Sequence, residues 1–442
     1  MRNTALKILQ KAQNGEYLNL VFQDVLKSAS LSSSDTAFVK ELVFGVFRNR
    51  ILLDYIIRKN SSIRLKKIDP KILNILRTGA YQILFMDKVP EHAAVSESVN
   101  LAKKCSGQKT VSFVNAVLRQ IIRTNPEKTP DLSQIKDKTE LLSVKYSYPL
   151  PLAEFFVKNF KEQAESLMAA GNVSPDLCVR VNTLKITKED FIKRLDTLDI
   201  TYKETPFTDC GLYLFGATEE KRKSLSGLFT VQDQSSQLAA LALAPENGNF
   251  VLDLCSAPGG KTTHIAELME NRGEILASDI YESRLKSVDF LAKNLGIDII
   301  KTRQGDATVV DEALIGKADK ILADVPCSGL GIIRRKPDIK YKENITDFSE
   351  LNEIQSKILE TAYRYLKPGG VMVYSTCTVN RSENTQQIEK FIKNHPDMSL
   401  DKIKSEHITG DIKAMCDTGY IEIFPDIHNS DGFFVCRLKK LG

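Results

Sequence analysis

Two cysteines stand in settings that suit chemistry: Cys327 in Ala323-Asp324-Val325-Pro326-Cys327-Ser328-Gly329, and Cys377 in Tyr374-Ser375-Thr376-Cys377-Thr378. Each follows a short apolar run, residues 320–323 and 371–374, of the kind that forms a buried strand. Open α/β sheets place reactive groups just past the carboxyl ends of their strands. One reaction that needs such a thiol is methylation of a pyrimidine at carbon 5, which is too electron-poor to attack a methyl donor unaided. A thiolate bonded to carbon 6 makes carbon 5 a nucleophile. Free cysteine is only partly thiolate at neutral pH, so the attacking thiol needs activation by its surroundings. A cationic methyl donor and the Arg334-Arg335-Lys336 cluster are the candidates. The commoner fate of a cysteine is to be buried and inert, and Cys105, Cys178, Cys210, Cys416 and Cys436, which lack such flanks, are read that way.

A second set of residues could hold a donor. After an apolar run at 250–254 comes Asp253-Leu254-Cys255-Ser256-Ala257-Pro258-Gly259-Gly260-Lys261-Thr262. Its glycines let the backbone approach a ligand, and a following helix would aim its N-terminus there. A Walker A loop would need glycine where Cys255 stands, and the dinucleotide spacing G-x-G-x-x-G is absent. A plain glycine turn is the competing reading of the loop alone. Asp279, closing the next apolar run, is placed to accept ribose hydroxyls, and Asp306, after the third, to meet an adenine amine. Asp324, just before Pro326-Cys327, then lies where donor and target base would meet.

The elements that must carry these residues follow from periodicity. Residues 1–125 read as a separate all-helical domain: Ala5, Ile8, Leu9, Ala12 and Val39, Leu42, Val43, Val46 recur at helical spacing, and Asp69-Pro70 looks like a helix start. Residues 126–140, with Pro126 and Pro130, read as a linker, and 141–228 as a small α+β subdomain. From 229 to 442, short apolar runs at 250–254, 274–278, 299–304, 320–323 and 371–374 alternate with helical stretches. That alternation predicts an α/β domain with a parallel, doubly wound sheet.

Composition narrows the classes. With 42% hydrophobic and 26% charged residues over 442, the chain is globular and long enough for several cores. No apolar run approaches a membrane span, and residues 1–13 read as an amphipathic helix rather than a secretion signal, so a cytoplasmic protein is expected. Eight scattered cysteines without a C-x-x-C pair, and only five histidines, imply neither a disulfide framework nor a metal site. Residues 1–130 hold 21 Lys+Arg against 10 Asp+Glu, and the remainder 40 against 46. The basic front third reads as a nucleic-acid handle, with a solvated helical surface as the alternative.

Taken together, these motifs resemble the Sun family of RNA cytosine-5 methyltransferases over nearly the whole chain. Arg180-Val181-Asn182-Thr183 and Gln232-Asp233-Gln234-Ser235-Ser236 look like its upstream motifs, Ile333-Arg334-Arg335-Lys336-Pro337-Asp338 like its substrate-side loop, and Asp431-Gly432-Phe433-Phe434 like its closing strand. The front third resembles a NusB-type RNA-binding domain. The resemblance implies a Rossmann-like S-adenosylmethionine-dependent catalytic domain acting, without a metal and as a monomer, on small-subunit ribosomal RNA. It further implies that Cys255, Ser256, Ala257, Pro258, Gly259, Gly260 and Lys261 wrap the donor's methionine part, with Asp279 at the ribose, Asp306 at the adenine and Asp324 at the reacting centre. Cys377 would be the nucleophile, Cys327 would release product, and Arg334 and Arg335 would contact RNA phosphates. Tryptophans usual after Pro149 and after Asp338 are missing, Tyr341 standing in the second place. The rival readings are the same chemistry on another RNA such as tRNA, an amine methyltransferase, which typically carries D/N-P-P-Y/F where this chain has Asp324-Val325-Pro326-Cys327, and a non-catalytic RNA-binding assembly factor.

Overall fold

The computed structural model describes every residue of the chain except Asn14, Gly15, Ser30 and Pro126. It divides into two compact units, Met1–Val173 with Arg335–Thr346, and Ser174–Arg334 with Asp347–Gly442.

The first unit is helical. Ala5, Ile8 and Leu9 of helix Arg2–Ala12 and Val39, Leu42, Val43 and Val46 of helix Ser33–Arg48 point into one core, as their spacing predicts. The Asp69 carboxylate accepts the Lys71 and Ile72 amides at 2.9 and 3.2 Å, and Pro70 opens helix Pro70–Phe85. Pro126, one of the two prolines that suggested a linker, lies outside the described residues; residues 127–137 form no helix or strand, and Leu132 and Ile135 pack on the helical core.

Residues 335–346 belong to this unit although they lie far along the chain. The Lys340 ammonium is buried and donates to the carbonyls of Arg48 (2.9 Å) and Tyr146 (3.3 Å) and to Asn172 Oδ1 (3.0 Å). Burial, then the charges of Arg48 and Arg50, push it well below an ordinary lysine. Tyr341, the expected stand-in for a stacking tryptophan, donates to the Phe47 carbonyl at 2.9 Å, and the Arg50 guanidinium covers its ring at 3.6 Å.

The second unit holds two sheets. Strands β1 (Leu177–Val181), β2 (Thr201–Glu204), β3 (Gly211–Phe215) and β4 (Phe229–Val231) pair antiparallel in the order β2-β3-β1-β4. The larger sheet contains β5 (Phe250–Asp253), β6 (Glu274–Asp279), β7 (Ile300–Gln304), β8 (Ala318–Asp324), β9 (Leu366–Thr376), β10 (Met398–Leu400), β11 (Tyr420–Ile423) and β12 (Phe433–Lys440). Its order is β10-β12-β9-β8-β5-β6-β7, with β11 beside β12. Neighbours on this sheet turn alternate side chains to opposite faces. Val251, Leu322, Val373 and Val435 enter one core, and Leu252, Ile321, Met372 and Phe434 the other. Helices such as Gly260–Leu268 and Ser349–Tyr365 cover the two faces, which is why these strands are apolar throughout.

Only β5 to β9 pair in parallel; β12 pairs antiparallel with β9, β10 and β11, so the sheet is mixed rather than wholly parallel. Residues 433–438 are buried on both faces, and a strand buried on both faces carries no mark of its direction. The chain winds outward from β5 through β7 and returns to β8, so the order reverses between β5 and β8. Crevices for ligands open at such a point, past the carboxyl ends of the strands.

Candidate active site

The loop after β5 lies at that reversal. Gly259 takes φ +106°, a left-handed conformation open to glycine, and a Cβ there would press to 3.0 Å on Val288 Cα. The Ser256 amide donates to the Ser278 carbonyl at 2.8 Å, drawing the loop onto the end of β6. Helix Gly260–Leu268 then starts without a side-chain cap, which leaves its first amides for a ligand. Cys255 packs against the core, and burial pushes its thiol up, so it has the character of a structural side chain. Asp253 is buried too: Thr262 Oγ1 donates to its Oδ2 at 2.7 Å while Oδ1 has no partner, and burial raises its carboxyl to about 7.

The motif residues upstream hold this loop from behind. Arg180 on β1 pairs with Glu267 at 2.8 Å, both fully buried, and donates to the Gln232 side chain and, at 2.8 Å, to the carbonyl of Gly260. Two motifs that are remote in sequence thus meet on the first turn of the helix.

Asp279 ends β6, buried, accepting the Tyr281 amide at 3.1 Å and paired with Arg284 at 3.1 Å. Asp306 lies past β7, its Oδ1 taking the Thr308 amide and hydroxyl at 2.8 and 2.7 Å. Beside it opens a cleft of about 400 Å³ whose lining includes Leu254, Ala307, Val310 and Tyr365. An apolar slot with a carboxylate at its edge suits a purine ring with an exocyclic amine. With Asp279 one strand away and uncapped helix amides at the loop, these residues fit the nucleoside and amino-acid ends of S-adenosylmethionine.

The reacting centre lies on β8 and β9. Asp324 closes β8, accepting Ser375 Oγ at 2.7 Å on one oxygen and Lys261 Nζ at 2.7 Å on the other. Burial pulls the Lys261 ammonium down, but the charge and hydrogen bond of Asp324, aided by Cys377, hold it above its ordinary value. Cys327 and Cys377 follow adjacent strands, and their sulfurs are 3.1 Å apart. The hydrogen bond with Cys377, then burial, then the charges of Cys377 and Glu383, lift the Cys327 thiol well above the usual range. The Lys261 ammonium interacts electrostatically with Cys377, which ties the ion pair to the thiol pair. The Gly331 amide donates to the Cys377 carbonyl at 3.0 Å, and a Cβ on Gly331 would overlap the Gly432 carbonyl, so these loops also meet backbone to backbone.

Arg334 departs from expectation. It is 5% exposed with its Nε 4.0 Å from Asp431, a buried partner of the chain's own carboxylate rather than a surface contact for phosphate. Arg335 is half-buried in the helical unit. Lys261, which sequence reasoning placed only in the donor loop, interacts electrostatically with Cys377. Sequence reasoning also passed over Glu383, which is fully buried behind both cysteines. Its one signal is a carboxylate six residues after Cys377, too weak to find it. Among the described residues no group of three or more His, Cys, Asp or Glu could hold a metal.

Comparison with known proteins gives the lineage. The model of the 16S rRNA methyltransferase RsmB/F family matches residues 240–439, that of the NusB family residues 1–123, and that of the RsmF/B-like ferredoxin-like domain residues 148–219. The probable ribosomal RNA small subunit methyltransferase B of Bacillus subtilis is 35% identical over all of this chain and 99% of its own length. The chain belongs to the RsmB/F family. A second relative, the ribosomal RNA small subunit methyltransferase B of Enterobacter sp., is 31% identical with the same coverage. Among solved structures, PH0851 superposes with TM-score 0.79 at 26% identity over 99% of this chain and 98% of that one. NSun6 from Pyrococcus horikoshii, solved with SFG, has TM-score 0.57 at 25% identity over 65% of this chain and 97% of its own. This RsmB/F member thus has a NusB helical domain, a ferredoxin-like subdomain and a Rossmann-like methyltransferase domain. No helix among its described residues is long and apolar enough to cross a membrane.

Proposed function

We propose that this protein transfers a methyl group from S-adenosylmethionine to carbon 5 of a cytosine in 16S ribosomal RNA, through a transient bond from Cys377 to carbon 6. The observation that carries this reading is the pair of thiols 3.1 Å apart, beside the Lys261–Asp324 ion pair at the carboxyl edge of the sheet. The names of the relatives support ribosomal RNA as substrate.

When bound in the loop before helix Gly260–Leu268, S-adenosylmethionine supplies an electrophilic methyl group. Cys377, with Lys261 favouring its thiolate, adds to carbon 6. Lys261 Nζ donates to Asp324 Oδ2 at 2.7 Å, and the proton held between them can be shared with ring N3 as negative charge builds there. Carbon 5 then takes the methyl group. Loss of the carbon 5 proton to water, return of the N3 proton and departure of Cys377 as a thiolate restore the ring. Cys327, which keeps its own proton, donates to the departing sulfur and so assists release. Because the target base must leave its stack to reach the sheet edge, the basic helical domain would grip flanking RNA, with affinity that falls as salt rises.

An amine methyltransferase is the rival. Incubation with methyl-labelled S-adenosylmethionine and 16S ribosomal RNA, followed by nucleoside analysis, separates the two. Label in 5-methylcytidine supports the proposal; label in N4-methylcytidine, or binding without turnover, rejects it.

A further inference from the structure

Behind the two thiols lies a carboxylate with no assigned part in the reaction. Glu383 is 0% exposed, and its two oxygens accept five hydrogen bonds. Oε2 takes the Ser328 amide at 2.8 Å and Gln355 Nε2 at 3.1 Å. Oε1 takes the Ser328 hydroxyl at 2.5 Å, Asn380 Nδ2 at 3.1 Å and the Thr378 hydroxyl at 3.4 Å. The chemistry of the donors matters less than where they stand. Ser328 directly follows Cys327, and Thr378 directly follows Cys377, and their own hydroxyls meet at 2.7 Å. Gln355 also donates to the carbonyl of Pro326, the residue before Cys327, at 3.0 Å. The Glu383 main chain joins in, its carbonyl accepting the Tyr374 hydroxyl at 2.6 Å from within β9.

A buried carboxylate is costly unless its oxygens are satisfied, and this one is satisfied solely by groups flanking the two cysteines and by the two amides that brace them. Its hydrogen-bond donors among the described residues are all neutral, in a low-dielectric setting where each bond is strong. The result is a rigid clamp between two loops that the sheet alone would leave free past the ends of β8 and β9.

We propose that Glu383 is the positioning residue that sets the distance between the two thiols, by fastening the residue after Cys327 and the residue after Cys377 to one carboxylate. The proposal rests on the reading of Cys377 as nucleophile for its catalytic consequence, but not for its geometric one. Glu383 acts through the loops it joins.

The test uses the full chain and two readouts. Phenylarsine oxide bridges two thiols only when they are a few ångströms apart, so its capture rate, with Cys327→Ala as blank, reports the thiol spacing without any turnover. In Glu383→Gln, a side chain of the same shape brings an NH2 group against donors. Its kcat should fall about a hundredfold with the RNA KM little changed, the size of effect that a misplacement of about 1 Å produces, and arsenical capture should slow at least about tenfold by the same displacement. S-adenosylmethionine affinity should stay within about twofold, since the clamp lies away from the donor loop. Parent-like capture in a folded Glu383→Gln overturns the proposal. Should that variant not fold, Ser328→Ala decides: slower capture with lower kcat supports the clamp, and parent-like values overturn it. If capture falls in Glu383→Gln while Cys377→Ala remains active, the clamp stands and the covalent reading fails.

Discussion

The sulfurs of Cys327 and Cys377 stand 3.1 Å apart although 50 residues separate them in the chain. Parallel pairing of β8 with β9, in the register Asp324 opposite Ser375, brings them together. Such a pair need not share one role: the hydrogen bond with Cys377 and burial lift the Cys327 thiol well above the usual range.

Replacing the nucleophile should be the most damaging change. Cys377→Ala is expected to lower methyl transfer more than about a thousandfold, the scale seen when a covalent nucleophile is removed. Binding of S-adenosylmethionine by calorimetry should be unaltered. A variant that keeps its rate would reject covalent catalysis.

Removing the neighbouring thiol should trap the reaction partway. Cys327→Ala is expected to accumulate protein joined to RNA through Cys377, seen as a band of reduced mobility that survives denaturant. Absence of that band, with turnover like the parent's, would remove Cys327 from the release step.

Lys261 offers a pH test. Its ammonium interacts electrostatically with Cys377 and pairs with Asp324 at 2.7 Å. A thiol that loses a nearby cation ionises at higher pH. Lys261→Met should therefore move the acidic limb of the kcat/KM profile upward and lower the plateau about a hundredfold or more. An acidic limb that stays in place would mean that another group activates the thiol.

Arg180 and Glu267 give a stability test away from the thiols. Their side chains are 0% and 2% exposed, so Glu267→Gln leaves a buried guanidinium without its counter-charge. A loss of about 3–5 kcal/mol is expected in urea unfolding. Arg180 also holds the Gly260 carbonyl, so weaker S-adenosylmethionine binding should accompany the loss.

Asp253 should make stability fall with pH. Burial raises its folded value to about 7, against about 3.9 in an unfolded chain. Between those values the folded state holds a proton that the unfolded state releases, so the contribution is complete below about pH 4 and lost as pH rises through about 7. Asp253→Asn should gain on the parent across that window, by up to about 4 kcal/mol. Urea unfolding at a series of pH values measures the difference; a gap independent of pH would contradict it.

Much of the architecture was readable because it repeats simple patterns. Helical spacing at Val39, Leu42, Val43 and Val46 and the Asp69-Pro70 start mark the helical unit. Short apolar runs mark β5 to β9, since a strand covered on both faces cannot hide its composition. The same property concealed the direction of β12. Arg334 and Tyr341 misled for a different reason. A basic or aromatic residue in a loop looks available to RNA, yet Arg334 lies buried beside Asp431, and Tyr341 lies beneath Arg50 in the helical unit.

By itself the sequence determined which groups end the strands: Asp279, Asp324 and the cysteines that follow, because strand identity and strand end are local properties. Only the tertiary structure decided what those groups meet. That Lys261 pairs with Asp324, that Arg180 holds Gly260, and that Glu383 joins the residues after both cysteines depends on strand order and on burial. Buried polar groups find partners wherever the fold brings donors and acceptors together, at any separation along the chain, and no local pattern encodes that choice.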